Sequence, residues 1–207
     1  MTILNTRVVL ARRPEKRATP DCFAIETQEL GSLPDHEIRV AVEYISVDAG
    51  TRTMLRGEGF HMQVGLGEPI LAGGVGKILE SNVAGWQVGD VVRGRLCAQT
   101  IATVPPEALE KIAHSNLPLS VHLGALGGST GVTAWIGVRC VAKPKPGDVF
   151  VVSAAAGAVG AVVGQIAKRD GATVIGIAGG QRKTDYLVSE LGFDAAIDYK
   201  SENVKKA

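Results

Sequence analysis

Residues 149–168 read Val-Phe-Val-Val-Ser-Ala-Ala-Ala-Gly-Ala-Val-Gly-Ala-Val-Val-Gly-Gln-Ile-Ala-Lys. A β-branched run ends in small residues. Ala155-Ala156-Gly157-Ala158-Val159-Gly160 then opens a segment with Val159, Val162, Val163 and Ile166 on one helical face. Strand, turn and helix follow one another in the order of a dinucleotide site. Side chains without bulk let the backbone approach a pyrophosphate, and a helix N-terminus offers it free N–H groups and the positive end of a dipole. The turn Ala155–Gly160 is therefore a candidate cofactor-binding element. The order is AxGxxG instead of GxGxxG, and close helix–strand packing alone also selects a glycine at Gly160, so the turn is weighed with its surroundings.

The chain around this turn keeps the same rhythm. Asp148–Ser153 reads as a strand, Gly157–Arg169 as a helix, Thr173–Ile177 as a second strand, Arg182–Leu191 as a second helix and Ala195–Asp198 as a third, short strand. Right-handed crossovers make such a β-α-β-α-β run a parallel sheet. An NAD site places Asp or Glu after the second strand to hold the ribose 2′-hydroxyl. Here the stretch is Ile177-Ala178-Gly179-Gly180-Gln181-Arg182-Lys183, with no acid and two cations. A carboxylate repels a 2′-phosphate and a cation attracts it, which favours NADP(H). The plainer reading is a solvated helix start, although cations in a first turn sit slightly badly with the helix dipole. Tyr199, after the third strand, lies at the sheet end that lines ligand crevices. It is read either as an adenosine contact or as an ordinary strand-end tyrosine. Thr133, in Thr133-Ala134-Trp135, borders the nicotinamide pocket on one reading and belongs to a buried helix face on the other.

Residues before about 125 have a different texture. Ile38–Ile45 alternates, Gly74–Glu80 follows a glycine pair, and Val88–Val92 holds a turn and a strand start. Short strands with frequent glycine turns predict a small barrel or sandwich. The division expected is a domain over 1–125 and a nucleotide-binding domain over 126–207. Asp48 and Arg52, at i,i+4, are spaced to pair on a helical turn.

Bulk properties narrow the function classes. The 207 residues are 45% hydrophobic and 21% charged, with a net charge of +1 and only 4% aromatics, which argues against nucleic acid or an anionic membrane as partner. Cys22, Cys97 and Cys140 are scattered, as are the four histidines, so no metal ligand set is read and a reducing compartment is expected. No apolar run approaches the roughly 20 residues of a membrane span. The basic start, with Arg7, Arg12, Arg13, Lys16 and Arg17, reads better as a first strand than as a targeting segment, and the expected location is the cytoplasm.

Several stretches taken together resemble a known family. They are Val9-Leu10-Ala11-Arg12-Arg13-Pro14, Val47-Asp48 with Arg52, Gly73-Gly74-Val75-Gly76, Leu123–Gly127, Lys143–Asp148, Ala154–Gly160 with Val163–Lys168, and Gly192–Lys200. The resemblance is to the zinc-independent medium-chain dehydrogenase/reductase superfamily. Within it, the branch is that of leukotriene B4 12-hydroxydehydrogenase/prostaglandin reductase, plant alkenal double-bond reductases and curcumin reductase. It implies an α/β protein in which a GroES-like β-barrel domain precedes a Rossmann domain, here only its first βαβαβ half. It also implies a homodimer and NADPH-dependent reduction of the C=C bond of α,β-unsaturated aldehydes or ketones. Gly157–Gly160 would hold the pyrophosphate, and Lys183 and Tyr199 the adenosine phosphate end. No residue is read as a catalytic acid, so orientation and enolate stabilisation would carry the rate. A zinc-free quinone or alcohol oxidoreductase and a non-catalytic nucleotide-binding fragment remain the alternatives.

Four departures go with the resemblance, one being that the family's Gly-Trp stretch reads Gly94-Arg95-Leu96-Cys97-Ala98-Gln99 here. The family's Asp-Pro-Tyr-Met-Arg is Asp48-Ala49-Gly50-Thr51-Arg52 here, which removes an aromatic ring from the substrate mouth. The turn Gly127–Gly131 is one residue longer. Two complete domains would exceed ~300 residues, so the second half of the sheet is expected to be missing, leaving Asp148–Ser153 as an exposed apolar edge.

Overall fold

The alternation in Ile38–Ile45 builds the centre of an antiparallel sheet. The structure, a computed structural model, describes residues 3–57, 59, 62–113 and 116–205, which form two units, Met1–Leu123 and Gly124–Ala207. In the first unit β1 (Ile3–Leu10) pairs along its whole length with β2 (Phe23–Leu30). The strands β3 (Ile38–Ile45), β4 (Gly73–Ser81), β5 (Val91–Arg95), β6 (Ile101–Val104) and β7 (Leu109–Lys111) form a second sheet in the order β6-β3-β4-β5-β7.

Backbone hydrogen bonds carry β1 across to the loops of that sheet. Val8 N–H donates to Ala98 O at 2.8 Å, Ile70 N–H to Val8 O at 2.9 Å, and Thr100 N–H to Thr6 O at 2.9 Å. These bonds wrap the two sheets into a partly closed barrel, so the barrel alternative holds over the sandwich. Ile38, Val40, Ile78, Val92, Leu96 and Ala102 fill its interior. Gly76 is fixed by the β3–β4 contact, because a Cβ there would lie 1.9 Å from Ala41 O.

One helical turn, α1 (Thr51–Met54), follows β3. The Asp48–Arg52 pair suggested by spacing is not among the ion pairs of the described residues. Asp48 instead accepts from Ser46 Oγ at 2.9 Å, and Arg52 donates to Lys16 O at 3.2 Å.

The second unit opens with α2 (Thr133–Ile136), set between π-helical turns at 128–132 and 137–142. The π-helical turn at 128–132 runs directly into α2. The strands β8 (Val149–Ser153), β9 (Thr173–Ala178) and β10 (Ala195–Asp198) are parallel, in the order β10-β9-β8. They alternate along the chain with α3 (Ala158–Arg169) and α4 (Gln181–Ser189). Ala155, Ala167, Val174, Leu187 and Phe193 form the core between sheet and helices. The predicted edge is present: β8 is the last strand of this sheet, and Val149 and Val151 on it are 64% and 54% exposed.

Candidate functional site

The parallel register brings the carboxyl ends of β8, β9 and β10 side by side. The chain leaves β8 through Ala154, which takes a left-handed φ of 49°. The turn is then tied to the next strand by Ala155 N–H donating to Ile177 O at 3.0 Å. Gly157, with φ −85° and ψ 170°, is the N-cap of α3, and no side chain caps that helix. The first helical N–H groups, those of Ala158, Val159 and Gly160, have no protein acceptor among the described residues. These groups, at the positive end of a 12-residue helix, are the donors an anion needs. Gly160 lets the helix start lie on its own turn: a Cβ there would come 2.6 Å from Ala154 O and 2.9 Å from Ala155 Cα.

Two clefts flank the turn. One runs between β8 and α3, lined by Val151, Ser153, Gly157, Val159, Gly160 and Val163 among others. The other is lined by Ala156, Arg182, Lys183 and Tyr186. Lys183 thus faces the turn from the first turn of α4, and Arg182 faces it with Lys183. Neither cation has an acidic partner among the ion pairs of the described residues, whereas Arg139 and Lys168 of the same unit are paired with Asp170 and Asp194.

The loop that carries α4 is fixed from β10. Gly180, at φ 95°, donates its N–H to Asp198 Oδ1 at 2.7 Å. Lys200 N–H reaches the same oxygen at 3.0 Å, and Ser201 Oγ donates to Oδ2 at 3.0 Å. Asp198 is buried. The N–H groups of Gly180 and Lys200, with the Ser201 hydroxyl, hold its carboxyl below the ordinary carboxylate range. The Asp198 carboxylate is therefore committed to the loop that precedes α4 and to residues 200–201. Tyr199, the next residue, is 57% exposed and lies against Gly179, where a Cβ would meet its ring at 2.6 Å.

The structure brings Gly157, Ala158, Val159, Gly160 and Lys183 around one turn and sets Tyr199 just past the end of β10. It does not bring Thr133 there. Thr133 is exposed on α2 and lines neither cleft; Ala134 is the buried residue of its segment, and Trp135 is 54% exposed. The sequence reading gave no role to Ala156, Tyr186 or the Asp198 carboxylate. Tyr186 was detectable, standing three residues after Lys183 and so on the same helix face. The aim of Asp198 at Gly180 depends on the loop conformation and leaves no periodic signal. Among the described residues no three His, Cys, Asp or Glu side chains converge to hold a metal, and no helix is long and apolar enough to cross a membrane.

Comparison with known proteins adds independent observations. Residues 6–112 match a family described as the N-terminal domain of oxidoreductase. The chain is 34% identical to the NADPH-dependent curcumin reductase of Escherichia coli, over 96% of this chain and 58% of that protein. It is 42% identical to the NADP(+)-dependent 2-alkenal reductase of Nicotiana tabacum, over 77% of this chain and 47% of that protein. The crystal structure of CurA in complex with NADPH from Vibrio vulnificus superposes with a TM-score of 0.84 at 33% identity, covering 97% of this chain and 60% of the other. The chain thus spans about half to three-fifths of the length of these relatives.

Proposed function

The chain belongs to the oxidoreductase family whose N-terminal domain fills residues 6–112, in the medium-chain dehydrogenase/reductase branch of curcumin and alkenal reductases, and on that premise we propose that it serves an NADPH-dependent reductase of conjugated C=C bonds. The observation that carries the reading is the uncapped start of α3. Three N–H groups without an acceptor among the described residues stand there beside a cleft lined by two cations that form no ion pair among those residues. A pyrophosphate fits the first and a 2′-phosphate the second, so the residues present suit NADP(H). In this assignment Gly157, Ala158, Val159 and Gly160 hold the pyrophosphate, Lys183 takes the 2′-phosphate and Tyr199 borders the adenosine. Thr133 is kept as a candidate for the nicotinamide end, on the strength of its place in sequence alone. When bound, NADPH supplies the hydride that saturates the double bond.

The substrate class is α,β-unsaturated ketones and aldehydes, supported by the names of the relatives. Residues 1–125 serve as the catalytic, substrate-binding domain and 126–207 as the nucleotide-binding one. The reading includes chemistry without zinc and a homodimer, supported by the sequence resemblance, and a cytoplasmic location, supported by the scattered cysteines.

The test is to incubate the protein with NADPH and a panel of enones, alkenals, quinones and alcohols, then identify products by mass spectrometry. NADPH consumption with formation of the saturated ketone or aldehyde is expected. Hydroquinone as the main product, or no consumption with any enone, contradicts the assignment.

A further inference from the structure

Arg182 stands beside the residue expected to read the nucleotide, and the cleft geometry gives it a part of its own. Lys183 and Arg182 are consecutive, so their side chains leave α4 about 100° apart. Both nevertheless line the same cleft, which reaches the β8–α3 turn at Ala156. Neither is in an ion pair among the described residues: Asp185, the nearest acid on α4, accepts from Gln181 Nε2 at 2.6 Å, and Asp198 is engaged by Gly180, Lys200 and Ser201. Two cations facing one cleft with no anion between them repel each other, and a bound dianion relieves that repulsion.

A phosphate monoester carries about −1.5 to −2 charges near neutrality, so one ammonium leaves it largely uncompensated. A guanidinium adds a planar pair of donors that matches two phosphate oxygens at once, which an ammonium cannot do. The same fork has no comparable partner on a ribose 2′-hydroxyl. Arg182 therefore discriminates between the two nucleotides as well as binding one of them.

Resting on the NADP(H) reading above, we propose that Arg182 is a specificity-determining residue that shares the adenosine 2′-phosphate with Lys183, and that Tyr186 forms the apolar wall of that subsite. Tyr186 lies one helical turn beyond the cations, lines the same cleft and is 44% exposed. Its ring is thus available to an adenosine without having to leave a core.

The probes are 2′,5′-ADP and 5′-AMP, which share the adenosine and differ in the 2′-phosphate. Calorimetric titration of the whole chain should show 2′,5′-ADP binding at least ~10-fold tighter than 5′-AMP. Arg182→Gln should weaken 2′,5′-ADP about ten-fold and leave 5′-AMP within about two-fold, because a hydrogen bond to a charged group is lost for one ligand only. Lys183→Gln should act alike, and Tyr186→Ala should weaken both ligands equally. If Arg182→Gln leaves 2′,5′-ADP unchanged while Lys183→Gln weakens it, Arg182 has no such role and the NADP(H) reading stands. If the unsubstituted chain binds the two ligands equally, or binds neither, the NADP(H) reading itself fails. All three side chains are at the surface, and an unchanged circular dichroism spectrum is the control for folding.

Discussion

The ring of Tyr199 lies directly on the backbone of Gly179, so close that a methyl group at Gly179 would meet Cζ and Oη of the ring at 2.6 Å. The glycine is there to seat the ring, since its φ is unexceptional. Gly179→Ala should push the half-exposed tyrosine aside at a stability change within about 0.5 kcal/mol. If the ring borders the nucleotide, affinity for NADPH should fall several-fold. A fluorescence titration paired with a thermal melt checks both halves; weaker binding with an unchanged melt is expected.

Gly164 has a different obligation. A Cβ there would sit 1.9 Å from Cζ of Phe193, and Phe193 is 2% exposed. The ring has no room to retreat. Gly164→Ala gains about 1 kcal/mol of helix propensity but overpacks the core by about 1–3 kcal/mol. With the misfit this deep, a net loss of about 2 kcal/mol is expected as a lower urea midpoint. Adding Phe193→Leu should recover part of it.

The two glycines of the turn should separate cleanly. Gly160→Ala drives a methyl into backbone atoms at 2.6 and 2.9 Å, so the turn must open, and NADPH affinity should fall at least ~10-fold. At Gly157 the corresponding atom is Ala154 O at 3.1 Å and φ is an ordinary −85°. Gly157→Ala should therefore bind within about three-fold of the unsubstituted chain. Equal losses in the two variants would contradict this assignment of roles.

Acid should weaken the second unit through two carboxylates. The Gly180 and Lys200 N–H groups hold Asp198 below its ordinary value, and Lys168 followed by Val174 N–H does the same for Asp194. The folded-state values lie below the unfolded ones. The stabilisation is therefore complete above the unfolded carboxylate pKa of about 3.9 and is lost as the pH falls through it towards the folded value. Denaturation midpoints measured between about pH 3 and 6 should fall at the acid end, and Asp198→Asn should flatten that dependence.

The nucleotide half of the fold was legible because its signals are periodic. The β-branched strands and amphipathic helices between Val149 and Asp198 lie within one or two residues of the predicted bounds. In the barrel, β3 was read to the residue, whereas β2 left little trace. Its side chains are mostly outward, Ile25 being 76% exposed, so no buried face stamps a pattern on the sequence. At the site, Gly160 proved to be required by packing against Ala154 and Ala155. The stronger pointer to an anion is the missing cap on α3, which a sequence shows only as the absence of Ser, Thr, Asp or Asn before the helix. The absence of an acid after β9 was visible directly. The reason it matters, that Asp198 comes from β10 and spends its charge on Gly180, was not.

The most direct test of the central claim is the ratio of affinities for NADPH and NADH, measured by nucleotide fluorescence on the whole chain and on Lys183→Ala. Binding of NADPH at least ~10-fold tighter than NADH is expected, with most of that preference lost in the variant because a charge-assisted contact to the 2′-phosphate is gone. Equal affinities in the unsubstituted chain, or a variant that weakens both nucleotides alike, would contradict it.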